Sequence, residues 1–457
     1  MISGAANLQS VYFIGIGGIG MSAIARYFVS RGVKVSGYDK TSTILTKQLE
    51  KEGMHIHYED NVELIDKEAD IVVFTPAIPA SHSEFNFYRD QQYPLMKRSE
   101  VLGLITESHF NICVAGTHGK TTTSAMVAHI LRHTGYSCNA FLGGIASNYD
   151  TNFWSSKKDV YVVEADEYDR SFLQLSPDVA IITAMDADHL DIYGTEEMMQ
   201  NAFVTFTEKI REDGLLIYKK GIARSADFKV EDKMSYATSD ETADVYTKNI
   251  RIKNGSYFFD IKIANLLIED VALNMGGKHN IENALAAIAV AYHVGIEVGD
   301  IKAAVADFAG VKRRFEYLIK NEQLVLIDDY AHHPEELRAL INSAKELFEG
   351  RKCTVVFQPH LYSRTNDLAE GFAEVLSMAD ETILLPIYPA RELPMTGVSS
   401  ELILNKMTNS NKSIQSKESV MQYLASSSFI KENVLLIFCG AGDIDTMLQP
   451  VKELLST

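Results

Sequence analysis

The sequence predicts an α/β protein made of three sheet-and-helix units in series. Three observations carry that reading. Short, unbroken apolar runs recur along the chain, and many stop at a cluster of glycine, threonine or charged residues and then pass into a helical pattern. That is how parallel strands buried on both faces read in sequence. Two of these junctions are glycine-rich loops of the kind that receive phosphates. The length, 457 residues, exceeds one ordinary domain and suggests about three. The predicted domains are residues 1–110, Rossmann-like; 111–311, a P-loop ATPase-like unit with a small antiparallel β portion; and 312–457, a second Rossmann-like α/β unit.

Composition narrows the function. A net charge of −18 disfavours non-specific binding to nucleic acid or anionic membranes. Anionic ligands must then be held locally, by backbone dipoles, a few cations and metal ions. No apolar run is long enough to span a bilayer, and the first residues lack a basic stretch followed by an apolar one, so a cytoplasmic protein is expected. Cys113, Cys138, Cys353 and Cys439 are scattered without a CxxC pair, which argues against a zinc ribbon or a disulfide framework.

In the first unit, the apolar run from Val11 feeds Gly15-Ile-Gly17-Gly18-Ile19-Gly20, and a helix follows from Met21 to Ser30. A second strand, Val33 to Tyr38, ends in Asp39, about 20 residues on. This is a dinucleotide-type fingerprint in its required context. By itself it suggests NAD, but such loops bind other nucleotide diphosphates as well. Ile71 to Phe74 is a further buried strand that runs into Thr75, and Tyr93 to Lys97 leads to Arg98. Thr75 and Arg98 stand where ligands of open sheets bind; a turn residue and a solvated charge explain them equally well.

The second unit opens with the stretch on which the rest depends. A strand from Asn111 to Ala115 enters Gly116-Thr117-His118-Gly119-Lys120-Thr121-Thr122, and a helix runs from Ser124 to about Arg132. Backbone N–H groups at the helix start face the phosphates, Lys120 adds a mobile charge, and the Thr121 hydroxyl can ligate Mg²⁺. The strand Asp159–Val163 opens into Glu164-Ala-Asp-Glu-Tyr-Asp169, where Glu164 is the expected metal carboxylate. Val179 to Thr183 runs into Asp186, Asp188, His189 and Asp191, which favours a metal or phosphate role for His189. Residues 214–275 read as a small antiparallel insert or edge sheet with a hairpin at Asn254-Gly255. Asn280 is expected to cap the next helix, and Asn283, one turn on, has the donor and acceptor that an adenine edge needs.

The third unit starts after a basic linker, Lys312-Arg313-Arg314. Strand Leu324–Asp329 ends in two carboxylates and is followed by His332, His333 and a helix from Glu335. Strand Thr354–Gln358 leads into His360 and Arg364, and residues after Pro389 read as an exposed loop.

Taken together, GTHGKTTT, VVEADEYDRSF, DADHLDIYG, GKHNIENALAA, GVKRRFE, DDYAHHP and QPHLYSRT resemble the Mur ligases of peptidoglycan synthesis, in the same order and over essentially the whole chain. The resemblance is strongest to the branch that joins L-alanine to UDP-N-acetylmuramate. It implies an ATP-dependent, ADP-forming ligase that uses Mg²⁺ or Mn²⁺, takes those two substrates, binds no nucleic acid or membrane, and works as a monomer or weak homodimer. It implies that Gly15, Gly17, Gly18, Ile19, Gly20, Asp39, Thr75 and Arg98 serve the UDP-sugar. It gives Gly116 to Thr122, His279, Asn280, Asn283, Arg314 and Asp328 to ATP, with Arg314 and Asp328 reaching it from the third domain. Thr121, Glu164 and His189 would hold metal. Lys120, His189, Arg314, His332 and Arg364 would act in catalysis, the last two beside alanine. Some sister enzymes place a carbamylated lysine on the helix past the metal histidine; Glu196 to Thr205 contains none here. The alternative within the family is a recycling ligase that attaches a preformed tripeptide.

Overall fold

The computed structural model describes residues 8–390, 392–426, 429 and 433–456, which form two compact units. The first comprises residues up to Lys248, with Asp260–Val271 and Glu282–Ala306. The second comprises Asn249–Phe259, Ala272–Ile281 and the chain from Asp307 onward. The fold class is α/β, with three sheets that are mostly parallel.

The first unit begins with a five-stranded parallel sheet. Its strands are β1 (Ser10–Ile14), β2 (Lys34–Tyr38), β3 (His55–His57), β4 (Ile71–Phe74) and β5 (Leu95–Lys97), in the order β3-β2-β1-β4-β5. Every residue of β1 is buried, as an unbroken apolar run requires. The order reverses on either side of β1, so the glycine loop lies at the switch point where ligands of such sheets bind. The helix after it runs Ile19–Ser30.

The second sheet contains β6 (Phe110–Ala115), β7 (Asn139–Ala146), β8 (Thr151–Trp154), β9 (Val160–Glu164), β10 (Val179–Ile182), β11 (Leu215–Lys219) and β12 (Asp232–Ala237). Their order is β12-β11-β10-β6-β9-β7-β8, and only β8 runs against its neighbour. Three more strands follow: β13 (Val245–Lys253), β14 (Ser256–Ile263) and β15 (Leu266–Leu273).

Over 214–275 the chain forms the edge of the main sheet rather than a separate insert: β11 pairs parallel with β10, β12 with β11 and β13 with β12, and β14 and β15 complete that edge beyond the Asn254-Gly255 turn. The hairpin itself is where it was expected: Asn254 and Gly255 have φ of 51° and 67°, a left-handed pair that closes a two-residue turn. One apolar core serves both sheets of the first unit, from Val11 and Phe28 to Phe141, Phe203 and Phe228.

In the second unit, β16 (Glu316–Lys320), β17 (Leu324–Asp329), β18 (Lys352–Phe357), β19 (Glu381–Leu384), β20 (Lys412–Ile414) and β21 (Val434–Cys439) form a sheet in the order β16-β17-β21-β18-β19-β20. Only β16 is antiparallel to its neighbour. The Asn254-Gly255 turn belongs to this unit. Tyr317 Oη and Lys320 Nζ both donate to the Gly255 carbonyl, at 3.1 and 3.0 Å. The loop after Pro389 is exposed as expected, though Arg391 lies outside the described residues. All four cysteines are buried and free. Among the described residues no helix is long and apolar enough to cross a membrane.

Candidate active site

The phosphate loop is shaped by close approach. Gly116 has φ 134°, and a Cβ there would collide with Thr183 Oγ1. Only glycine fits, and the loop is thereby pressed against the end of β10. Thr117 N donates to the Ala184 carbonyl at 3.1 Å, and Thr183 Oγ1 donates to the His118 carbonyl. The helix begins at Lys120, earlier than the sequence suggested, and runs to His133. Its first-turn N–H groups point into the loop, where the helix dipole favours an anion. Thr122 is buried beside them and His118 is exposed.

Charges around the loop are paired. Lys120 Nζ lies 2.8 Å from Glu167 Oε1 and 2.6 Å from the Gly116 carbonyl. The Thr121 hydroxyl donates to Glu164 Oε1 at 3.1 Å, and Gly143 N–H donates to Glu164 Oε2 at 3.0 Å. A Cβ at Gly143 would overlap the Glu164 carboxylate. His189, with left-handed φ of 50°, holds Nε2 3.7 Å from both Glu167 Oε1 and Asp188 Oδ2. Glu167, Asp188 and His189 could together hold an ion. Of the expected metal set, Thr121 and Glu164 therefore meet directly, whereas His189 is placed with Glu167.

Glu167 belongs to the site although no motif marks it. It is fully buried, its Oε2 has no hydrogen-bond partner, and burial holds its carboxyl above the usual range against the pull of Lys120. The only available signal was the Glu-x-x-Glu spacing after β9. Asn283 is buried against the loop, its Oδ1 accepting from Thr123 Oγ1 at 3.1 Å. Asn280 does not cap its helix. That helix starts at His279, and the Asn280 side chain donates to the Gly276 carbonyl at 2.6 Å, the reverse of a capping bond. His279 and Asn280 fall in the second unit and Asn283 in the first.

The glycine loop of the first sheet faces the same space as Glu164. A cavity of about 260 Å³ is lined by Gly18, Ile19, Gly20, Thr75, Arg98, Gly143, Glu164 and Asp166. Gly17 N–H donates to Asp39 Oδ2 at 2.8 Å, so Asp39 braces the loop itself. Gly15 has φ 87° and opens the turn. Arg98 donates to Asp166 Oδ2 at 3.0 Å, and Lys97 lies 3.1 Å from Asp169. Thr75 and Arg98 thus line the cavity, and Asp166 is a partner that the sequence did not suggest.

In the second unit, His332, His360 and Arg364 gather. The His332 and His360 rings stand 6.3 Å apart, and Arg364 Nη1 lies 3.5 Å from His360 Nδ1. His332 Nδ1 lies 2.9 Å from the Tyr330 carbonyl; as donor there it leaves Nε2 the free lone pair of the neutral ring. Burial, then the Arg364 charge, lowers the His360 pKa. Asp328 is buried, with neither oxygen hydrogen-bonded; Arg313 Nε stands 3.8 Å away. Burial raises the Asp328 pKa to about 8. Arg314, next to Arg313, is exposed.

Comparison with known proteins agrees with this architecture. Residues 10–110 match the family model "Mur ligase family, catalytic domain", 114–291 "Mur ligase middle domain" and 313–442 "Mur ligase, glutamate ligase domain". A UDP-N-acetylmuramate–L-alanine ligase of Parabacteroides distasonis is 51% identical over 455 residues, covering 98% of each chain. Its counterpart in Flavobacterium johnsoniae is 48% identical, again covering 98% of each. Among solved structures, the UDP-N-acetylmuramate–alanine ligase MurC of Thermotoga maritima superposes with a TM-score of 0.83 at 29% identity, covering 98% of this chain and 99% of that one. A murein peptide ligase of Psychrobacter arcticus shares the fold, with a TM-score of 0.65 at 22% identity and coverage of 98% and 99%. With three consecutive family models matched and near-half identity along its whole length, the chain belongs to the Mur ligase family.

Proposed function

We propose that this chain is an ATP-dependent ligase that joins L-alanine to the lactyl carboxylate of UDP-N-acetylmuramate in peptidoglycan synthesis. The observation that carries the reading is the 260 Å³ cavity, which has the nucleotide-type glycine loop at one side and the Glu164 carboxylate at the other. A sugar carboxylate held there would face the phosphate loop, as phosphoryl transfer requires. The relatives at 51% and 48% identity support L-alanine as the acceptor's partner. In this reading residues 1–110 bind the UDP-sugar, 111–311 bind ATP, and 312–457 bind alanine, in the cytoplasm.

The carboxylate attacks the γ-phosphorus of ATP, giving ADP and an acyl phosphate. The alanine amine then attacks the acyl carbon, and phosphate leaves as the tetrahedral intermediate collapses. Activation is needed because a free carboxylate is a poor electrophile. Lys120 and the helix N-terminus neutralise charge as it shifts between phosphates. The donors near the loop fit Mg²⁺: Thr121 and Glu164 offer hard oxygens 3.1 Å apart, and the buried Glu167 Oε2 lacks a partner. When bound, the ion supplies further charge neutralisation at the phosphates. His189 with Glu167 supports a second position. His279, Asn280 and Asn283 serve adenine, and Arg314 and Asp328 serve ATP. His332 Nε2 receives the ammonium proton of alanine, and Arg364 holds its carboxylate. His332→Ala should raise the KM for alanine and lower kcat; unchanged values would remove it from this role.

The deciding assay is ATP-dependent phosphate release with UDP-N-acetylmuramate, comparing L-alanine with the tripeptide L-Ala-γ-D-Glu-meso-diaminopimelate. Release with alanine is expected. Release with tripeptide alone would make this the recycling ligase and overturn the roles of His332 and Arg364.

A further inference from the structure

One hairpin, formed by β7 and β8, reaches both sides of the cavity. On β7, Gly143 N–H holds Glu164 Oε2 at 3.0 Å. On β8, Asn152 is wholly buried and grips the helix that follows the glycine loop. Its Nδ2 donates to the Ile19 carbonyl at 2.6 Å and to Ser22 Oγ at 3.0 Å, and its Oδ1 accepts from the Arg26 guanidinium. Arg26 is also buried, and Glu52 clamps it with two bonds of 2.8 Å. Beside this polar contact, Tyr27 packs against Phe141 of β7 and Phe153 of β8, with ring centres 5.7 and 6.2 Å apart. The two strands pair antiparallel at Ala140 to Trp154 and Phe141 to Phe153 and again at Ala146 to Thr151, with a register shift between them that includes Gly143.

Apolar packing alone would join helix and hairpin. It would not fix their register, because apolar contact is non-directional. A buried carboxamide with three satisfied bonds is directional, and it tolerates displacement poorly because any bond lost leaves a buried polar group unpaired. Asn152 sits on the first two turns of the helix, next to Gly18 and Gly20, which line the cavity. The hairpin therefore spans from the glycine loop to the carboxylate opposite it.

We propose that Asn152 is a positioning residue of the ligation. Through the β7–β8 hairpin it sets the distance between the ligand of the glycine loop and the Glu164–Thr121 end of the cavity. This rests on the reading that the cavity takes the UDP-sugar. The expected signature is a loss of rate without a loss of binding, since a displacement of about 1 Å can cost on the order of a hundredfold in rate.

The experiment uses the full chain carrying Asn152→Ala and, separately, Ser22→Ala. Dissociation constants for UDP-N-acetylmuramate and for ATP are measured by calorimetry, and phosphate release and amide formation are followed in parallel. In Asn152→Ala, kcat should fall about tenfold to a hundredfold while each dissociation constant stays within about threefold, and more phosphate should be released per amide formed. Ser22→Ala removes one acceptor of the same carboxamide and should shift kcat and coupling in the same direction, by less. Should Asn152→Ala fail to fold, Ser22→Ala carries the test. Folded variants with wild-type kcat and coupling would overturn the proposal, as would a fall in rate that matches the loss of folded protein. A wild-type chain that releases no phosphate with UDP-N-acetylmuramate would instead sink the reading of the cavity, and this inference with it.

Discussion

Two buried carboxylates at the ends of parallel strands meet their cations in different ways. In the first unit, Glu167 receives Lys120 Nζ at 2.8 Å. In the second, Arg313 Nε stops 3.8 Å from Asp328, and neither Asp328 oxygen is hydrogen-bonded. The first pair already holds the phosphate-loop lysine in place, with one carboxylate oxygen left over. The second keeps a carboxyl whose pKa is raised to about 8, so it is mostly protonated at neutral pH. A paired buried acid works through its charge, whereas an unpaired one is held uncharged by its surroundings.

Removing the cation of the first pair should have the largest effect. Lys120→Met is expected to lower phosphate release by at least about a thousandfold, since the charge that meets the phosphates is gone. It also strands Glu167, buried and alone, at a cost of about 3 kcal/mol in stability. The double variant Lys120→Met/Glu167→Gln should regain most of that stability and none of the activity. Thermal melts and phosphate assays on the three proteins check this; a double variant as unstable as the single would mean that the pair is not coupled.

Gly143→Ala comes next. The new methyl would occupy the space of the Glu164 carboxylate and force it off Gly143 N–H and away from Thr121. Activity should drop about tenfold to a hundredfold, because the donor atoms shift while all remain present. The variant should also need more Mg²⁺ for half-maximal rate, and bind Mn²⁺ more weakly by electron paramagnetic resonance. Unchanged Mn²⁺ affinity would show that Glu164 does not need the gap Gly143 leaves.

The second unit offers the opposite experiment, in which removing a charge stabilises. Asp328 has an ordinary value of 3.8 and is held at about 8 in the fold. Between those values the folded chain keeps a proton that the unfolded chain has released, so stability falls as pH rises from about 4 to about 8. Asp328→Asn removes this slope. The expected gain is negligible at pH 4 and about 3 kcal/mol at pH 8, after allowance for relaxation around the buried group. Urea melts at the two pH values test it, and an equal effect at both would mean that Asp328 does not titrate in this range.

The same contrast explains what could be read from the chain beforehand. The junctions at Gly15 to Gly20 and Gly116 to Thr121 are legible because their geometry is local: a strand, a tight turn and a helix start lie within a few residues. The strands were visible for the same reason, as unbroken apolar runs. Asn152 and Gly143 carry no local mark, and Glu167 only its spacing from Glu164. Each acquires its role only when distant segments close on it, as Asn152 does across 130 residues to Ser22. Asn280 shows the converse error. A residue that caps helices in isolation was given that role, while the fold starts the helix one residue earlier and turns its amide toward Gly276. The parallel run of β10 to β13 lacks the usual unbroken apolar signature because β12 is buried only at Ser235 and Tyr236 and β13 only at Val245 and Thr247, as suits the outer strands of a sheet.

Between the paired and unpaired extremes lies Glu84, and it should give the smallest effect. It is fully buried under the first sheet, where Tyr12 Oη donates to Oε2 at 2.7 Å and Asn61 N–H to Oε1 at 3.1 Å. His57 Nε2 is 2.8 Å from Tyr12 Oη and 3.5 Å from Glu84 Oε1, while His57 Nδ1 meets the Glu59 carbonyl at 2.9 Å. Two neutral donors offset part of the burial, so the carboxyl is raised only to about 7 from 4.5. The folded form again holds the proton longer, and stability should fall as pH rises from about 4.5 to about 7. Because that window is narrower than for Asp328, Glu84→Gln should gain about 1–2 kcal/mol at pH 7.5 and almost nothing at pH 4.5. If donors decide how far burial raises an acid, the total change in stability removed at Glu84 must be smaller, and confined to a narrower pH window, than that removed at Asp328. Equal total changes, measured in one series of urea melts, would mean that burial alone governs both carboxyls and that the hydrogen bonds from Tyr12 and Asn61 count for little.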